Sequence, residues 1–154
     1  MERKADMIDI RNQLDSAEVH NLVDQLEYPL EVRKEKTREI IREYCENPDQ
    51  VILGMESDNE LVGFIGFRFQ SENVAIIRHI AVRRDHRGNG IGREMILEIC
   101  SNYSLQEVSA ETDKDAVDFY RKVGFTIQSL GEKYPGTERF LCKLTMDVPT
   151  IGST

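Results

Sequence analysis

The stretch that most constrains this chain is a nine-residue β run, Val74–Val82, followed by a glycine-rich loop and then by helical periodicity. The run is dominated by Ile and Val, the residue types that fit a pleated, half-buried strand. Beyond it comes a polar loop over 83–89, and Arg87-Gly88-Asn89-Gly90-Ile91-Gly92 leads into a helix predicted over 90–102 with Ile91, Met95, Ile96 and Ile99 on one face. The first N–H groups of a helix have no partner within it, and the helix dipole places partial positive charge there. A strand, a glycine loop and a helix start therefore form an anion site, because glycine lets a phosphate approach the backbone. Arg83, Arg84 and Arg87 add positive charge to the same loop. The implied ligand is a phosphate or pyrophosphate.

Two phosphate motifs fit poorly. A P-loop needs G-x-x-x-x-G-K-S/T, but Gly92 is followed by Arg93 and Glu94. A dinucleotide fingerprint needs G-x-G-x-x-G, and Gly88 with Gly90 puts Arg93 at the third glycine. The elements before the loop also read as a hairpin rather than the start of a βαβ unit.

The rest of the chain reads as alternating helices and strands. A short strand is predicted over 7–10. Asp15 and Glu18 resemble a capping box, followed by Val19, Leu22, Val23 and Leu26 at helical spacing. Pro29 ends that helix, and a highly charged one over 31–46 stops at Asn47-Pro48-Asp49. Strands over 50–56 and 61–69 are joined by Ser57-Asp58-Asn59-Glu60, a hairpin signal. After the glycine loop and its helix come a strand over 106–111 and Asp113 as a helix N-cap. The next helix has Ala116, Phe119, Tyr120 and Val123 on one face, with Gly124 as its closing residue. Strands over 125–130 and 138–146 finish the pattern. The order β-α-α-β-β-β-α-β-α-β-β predicts an α/β fold with a mixed sheet of six to seven strands and helices on both faces. The expected organisation is one domain over 1–147 with a frayed tail over 148–154.

Composition narrows the function. Lys and Arg number 20 against 28 Asp and Glu in 154 residues, a formal net charge of −8. Such a chain gains little from phosphate counterion release, so neither nucleic acid nor an anionic membrane is an expected partner. Small cations such as amines are attracted. No apolar run is long enough to span a bilayer and residues 1–10 hold no signal-peptide core, so the expected compartment is the cytoplasm. The well-separated Cys45, Cys100 and Cys142 read as reduced thiols, and no Cys/His group has zinc-ligand spacing, so no metal is expected.

The loop resembles the signature of the GNAT-type N-acetyltransferase superfamily, Q/R-x-x-G-x-G/A after a strand and at the start of a helix, here Arg87-x-x-Gly90-x-Gly92. Ile80-Ala81-Val82 precedes it by the spacing of the longer form of that signature. Downstream, Ala116, Tyr120 and Gly124-Phe125 match a second family pattern. The similarity runs over about residues 7–146.

The resemblance implies a GNAT-like sheet splayed at its central strands and acetyl-CoA as co-substrate. It places the pyrophosphate on the backbone of Arg87, Gly88, Asn89, Gly90, Ile91 and Gly92. The pantetheine arm would lie along Ile80, Ala81 and Val82. Asp113 stands where relatives often have an asparagine, and Tyr120 would reach the thioester sulfur. Acyl transfer would proceed by direct attack of an amine through a tetrahedral intermediate, and family members often dimerise. The chemistry agrees: a departing thiolate, pKa near 8.5 as the thiol, needs a proton, and a phenol near pKa 10 can act as acid. By spacing alone Tyr120 reads better as a core aromatic.

The general base has more than one candidate. Where relatives carry a glutamate this chain has Ile76 and Val108, neither of which titrates. Glu111, at the carboxyl end of the 106–111 strand, His79 and a water chain remain as alternatives. His86 reads as a solvent or phosphate contact, His20 as surface, and Cys100 and Cys142 as buried structural thiols. Two segments are expected to frame the acceptor amine, Glu27-Tyr28-Pro29 and Glu132-Lys133-Tyr134-Pro135-Gly136. The acceptor itself is read only as a small-molecule or peptide amine. A non-catalytic acyl-CoA sensor is the alternative function.

Overall fold

A computed structural model describes residues 5–146 of the chain. The tail over 148–154 lies outside those residues. Seven strands and four helices follow the predicted order: β1 Ala5–Asp9, α1 Ala17–Val23, α2 Leu30–Glu46, β2 Gln50–Ser57, β3 Glu60–Ser71, β4 Val74–Val82, α3 Ile91–Asn102, β5 Glu107–Asp113, α4 Val117–Val123, β6 Thr126–Tyr134 and β7 Thr137–Thr145. Short 3-10 turns precede α1, follow it at Asp24–Leu26 and precede the glycine loop at Arg84–His86. The strands are hydrogen-bonded in the order β1-β2-β3-β4-β5-β7-β6. The sheet is mixed: β4 and β5 are parallel, whereas β1–β2, β2–β3, β5–β7 and β6–β7 are antiparallel.

The described residues group into two compact units, 5–68 with 78–98 and 69–77 with 99–146. Both β4 and α3 run from one into the other, so neither unit is a continuous piece of chain.

The first unit has a core of Ile10, Leu14, Val19, Leu22, Val23, Ile40, Ile41, Tyr44, Ile52, Leu61, Phe64 and Ala81. Full burial of one such aliphatic or Phe side chain contributes about 1.5–3 kcal/mol. Tyr44, the thin apolar face of α2 notwithstanding, is completely buried. Its place depends on Gly66 of β3, where a Cβ would stand 1.9 Å from the tyrosine hydroxyl oxygen. The β2–β3 hairpin turns through Asp58 (φ 52°) and Asn59 (φ 67°), both left-handed, closing on the Ser57–Glu60 pair. That is the mirror-image two-residue turn whose twist matches a hairpin, and Asp and Asn tolerate it. The start of α1 differs from the capping-box reading. Ser16 is the N-cap, its hydroxyl accepting from the Val19 N–H at 3.2 Å. Glu18 instead accepts from the Leu61 N–H at 3.3 Å, a long-range partner a local motif could not reveal.

In the second unit β5 pairs with β4 only through Val74–Glu107, Ala75–Val108 and Ile76–Ser109, and then with β7 along its whole length. Asp113 is one turn removed from the helix it was expected to cap. Its carboxylate accepts from the Asp115 and Ala116 N–H groups at 3.0 and 3.2 Å, ordering the turn that enters α4, while the helix begins at Val117. The buried face of α4 is accordingly Val117 and Tyr120, with Ala116, Phe119 and Val123 only half-buried. Gly124 closes the helix as expected: its N–H and that of Phe125 both reach the Tyr120 carbonyl, at 3.2 and 3.0 Å.

Candidate functional site

The glycine loop has the geometry of an anion cradle. Gly88 and Gly90 have φ of 84° and 77°, a region that side chains other than glycine rarely adopt. A Cβ built on either glycine would meet nothing within 4 Å, so the space over the loop is open to a ligand. Within α3 the first bond runs from the Glu94 N–H to the Gly90 carbonyl at 2.9 Å, and helical geometry leaves the preceding N–H groups without such partners. The Ile91 side chain is buried, anchoring the helix start in the core, as are Met95, Ile96 and Ile99. The N–H groups of residues 88–92 thus lie outside the α3 hydrogen-bond ladder.

The arginines behave differently from the sequence expectation. Arg87 donates from Nε to the Val82 carbonyl (3.0 Å), from Nη1 to Glu27 (3.1 Å) and from Nη2 to the Gln25 carbonyl (3.0 Å). Arg84 also reaches Glu27, at 2.6 Å, and Arg83 pairs with Glu60 and Asp85. The Arg84 and Arg87 guanidinium groups hold the Glu27 carboxyl below the usual carboxylate range. Glu27, expected to face an amine, is therefore engaged with the loop, and Lys36 stacks over the ring of neighbouring Tyr28 at 5.8 Å. His86 pairs with Asp85 at 3.1 Å. Of the β4 residues implied in cofactor contact, Ala81 turns its side chain into the core, while Ile80 and Val82 are half-buried. An open cavity of about 450 Å³ is lined by Glu18, Asn21, Leu22, Gln25, Leu61 and Arg83. It includes no residue of 87–92 and so is separate from the cradle.

His79 is half-buried, with Nδ1 2.7 Å from the Tyr44 hydroxyl and the two rings edge to face. Burial pulls the His79 pKa down to about 4, so the ring is neutral at pH 7. A group with that affinity for protons is a weak base toward an ammonium ion.

In the second unit Tyr120 is buried, its ring edge-on to Phe119 and Phe125 at 5.0 and 5.2 Å. No other described residue hydrogen-bonds its hydroxyl. Burial pushes the phenol up, which keeps it protonated across the neutral range. Glu111, the other candidate catalytic group, is exposed and bound by two cations, Lys133 at 3.0 Å and Arg139 at 3.3 Å. Both pull its carboxyl below the usual range, Lys133 more strongly. Holding a proton would break both ion pairs, so Glu111 is a poor general base. The segment Glu132–Gly136, read as a loop, is mostly strand: β6 continues to Tyr134, which is exposed, and pairs with Thr137 across the turn. Cys100 and Cys142 are buried with their thiols pushed up, which matches structural rather than nucleophilic roles. Among the described residues no group of three or more His, Cys, Asp or Glu could hold a metal, and no helix is long and apolar enough to cross a membrane.

Gln25, Tyr44, Lys133 and Arg139 were not singled out as partners of the candidate groups by sequence reasoning. Each meets its partner through packing between distant segments, and no local pattern marks it.

The model of the Acetyltransferase (GNAT) family matches residues 17–125. The chain belongs to the GNAT acetyltransferase family. Among curated relatives of this GNAT chain, the streptothricin acetyltransferase of Escherichia coli is 33% identical over 86 residues, 51% of this chain and 49% of that protein. The matched part thus spans about half the length of that relative. An uncharacterised N-acetyltransferase of Bacillus methanolicus is 26% identical over 80 residues, 52% of this chain and 67% of that protein. Solved structures agree on the fold. A candidate GNAT acetyltransferase from Desulfovibrio desulfuricans superposes with a TM-score of 0.76 over 92% of this chain and 99% of its own, at 16% identity. A candidate streptothricin acetyltransferase from Bacillus anthracis, solved in complex with acetyl coenzyme A, gives 0.59 at 26% identity, over 69% of this chain and 68% of its own.

Proposed function

We propose that this GNAT chain is an acetyl-CoA-dependent N-acetyltransferase acting on a small-molecule or peptide amine. The observation that carries the reading is the open, positive-φ cradle of Gly88 and Gly90 at the start of α3, in a family member with a relative solved in complex with acetyl coenzyme A. In this reading the N–H groups of residues 88–92 bind the pyrophosphate. The backbone of Ile80 and Val82 guides the pantetheine arm, consistent with the β4–β5 register ending at Ile76 and Ser109. The unprotonated amine attacks the thioester carbon. A C–N bond forms, the C–S bond breaks, the nitrogen gives up a proton, and the sulfur leaves as thiol with a proton from Tyr120, which solvent then restores. Asp113 contributes by ordering the turn before α4, and so the position of Tyr120. We place the reaction in the cytoplasm, in keeping with three free cysteines.

The test is thiol release from acetyl-CoA across a panel of polyamines, amino acids, antibiotic amines and peptide N-termini, alongside calorimetric titration of acetyl-CoA. At least one amine is expected to release thiol, and acetyl-CoA to raise the Tm by mass action. Absence of binding at millimolar acetyl-CoA overturns the reading. Binding without turnover on any amine would make the protein an acyl-CoA sensor instead.

Lys133 and Arg139 hold the Glu111 carboxyl below its ordinary range. Its two ion pairs favour the folded state above the ordinary carboxylate pKa, and that contribution is lost as pH falls through the lowered value. Glu111 therefore undergoes no ionisation change near neutral pH. Glu111→Gln is expected to keep most of the turnover and leave the acidic limb of kcat/KM in place, because an amine near pKa 10.4 is itself mostly protonated at pH 7. Loss of both the limb and most of the rate would identify Glu111 as the base.

A further inference from the structure

We infer that Glu27, together with Gln25, is a positioning residue for the phosphate loop, clasping Arg87 so that this arginine shapes the loop rather than serving as its phosphate ligand. The inference rests on the proposed role of residues 88–92 in holding the acetyl-CoA pyrophosphate.

The clasp closes the connection between β4 and the glycines on itself and ties it to one short turn after α1. At the near end, Arg87 Nε binds the carbonyl of Val82, the last residue of β4. Across the turn, Arg87 Nη1 binds Glu27 and Nη2 binds the Gln25 carbonyl. The Arg84 backbone N–H donates to the Gln25 side-chain oxygen at 3.0 Å, and the Arg84 guanidinium reaches the same Glu27 oxygen that Arg87 uses. Every nitrogen of the Arg87 guanidinium thus already donates to a protein oxygen, and the plane of the group is set before any ligand arrives. A guanidinium recognises phosphate best through two parallel N–H bonds of its fork, and here the fork is divided among three protein acceptors.

The Glu27 backbone supports the same reading. It sits at φ 59°, ψ 42°, a conformation costly for a residue other than glycine, and its N–H is held by the Asp24 carbonyl at 3.1 Å. That geometry aims the carboxylate at Arg84 and Arg87 from the opposite side of the sequence, 57 and 60 residues away.

Positioning and simple electrostatics make opposite predictions. A carboxylate beside an anion site repels phosphate, so on charge alone its removal would tighten acetyl-CoA binding. If Glu27 holds the loop in shape, its removal weakens binding. The experiment measures calorimetric Kd for acetyl-CoA and for S-acetyl-pantetheine, which lacks the pyrophosphate and the adenosine 3′-phosphate beyond it, in wild type, Glu27→Ala, Glu27→Gln, Arg87→Ala and the Glu27→Ala/Arg87→Ala double variant. The wild-type arm tests the loop assignment by itself: acetyl-CoA must bind more tightly than S-acetyl-pantetheine, and equal affinities overturn that assignment and this inference with it. With the wild-type preference present, Glu27→Ala and Arg87→Ala are each expected to weaken acetyl-CoA about tenfold, and the double variant to be no more than about twofold worse than either, since the two residues act as one unit. Glu27→Gln, which keeps an acceptor oxygen, is expected to lose about threefold and covers the case in which Glu27→Ala folds poorly. S-acetyl-pantetheine affinity should change by less than about twofold in every variant. Unchanged or tighter acetyl-CoA binding in Glu27→Gln and Glu27→Ala overturns the inference, as do additive losses in the double variant or equal losses for the two ligands.

Discussion

Tyr120→Phe is expected to lower kcat by about 10²–10⁴-fold while changing acetyl-CoA affinity little. The substitution keeps the ring that packs edge-on against Phe119 and Phe125 and removes only a hydroxyl with no hydrogen-bond partner among the described residues. The fold should therefore lose little, and a drop in turnover isolates the chemical role. Burial keeps the phenol protonated through neutral pH, so it is always ready to donate. Complete transfer from a phenol near pKa 10 to a thiolate whose acid is near 8.5 is uphill by about 2 kcal/mol, and burial adds to that gap. Tyr120 then acts mainly as a hydrogen-bond donor to the sulfur as the C–S bond lengthens, with transfer completed late. Steady-state kinetics and calorimetry on the variant check this. Turnover within twofold of wild type would reduce Tyr120 to the packing role that its burial alone explains.

The second large effect is expected at the cradle. Gly90→Leu should weaken acetyl-CoA binding by at least about 100-fold, about 2.7 kcal/mol. A Cβ at this position meets no protein atom within 4 Å, so the side chain leaves the loop into open space, where it would obstruct any phosphate resting there. The cost to the fold is limited to the positive φ of 77°, about 1–2 kcal/mol for a residue with a Cβ. The variant should thus unfold cooperatively at a modestly lower Tm, yet show no further rise in Tm with acetyl-CoA. A variant that binds acetyl-CoA like wild type would show that the phosphate does not rest on this loop. Together the two substitutions separate binding from chemistry: one should remove the co-substrate, the other should leave it bound and unreactive.

What could be read from the sequence was local. The place of β4, Val74–Val82, follows from a run rich in Ile and Val, and the Asp58-Asn59 turn follows from two residues that tolerate left-handed backbone. The buried face of α3 follows from helical spacing, and the closure of α4 from Gly124. The loop and Tyr120 were found the same way, since each lies in a motif a few residues long. In all these cases the deciding physics acts between residues at most a turn or a strand width apart, which a sequence displays directly.

Tertiary structure decided which candidate groups were free to act. Glu111 is an available carboxylate in the sequence, but Lys133 and Arg139, 22 and 28 residues on, occupy it in the folded chain. His79 has an ordinary histidine pKa until β4 is packed beside α2, where burial lowers it and the Tyr44 hydroxyl, 35 residues away, meets its ring. Arg87 and Glu27 each suggested a ligand-binding role, phosphate for one and amine for the other, and they bind one another across 60 residues. A charged side chain's availability depends on what lies within about 4 Å of it, and burial and long-range pairing set that only after the backbone has folded. The sequence by itself thus determined the family, the order of elements and the place of the glycine loop, whereas the protonation and pairing of the groups around it were settled by packing between segments too far apart for any local pattern to encode.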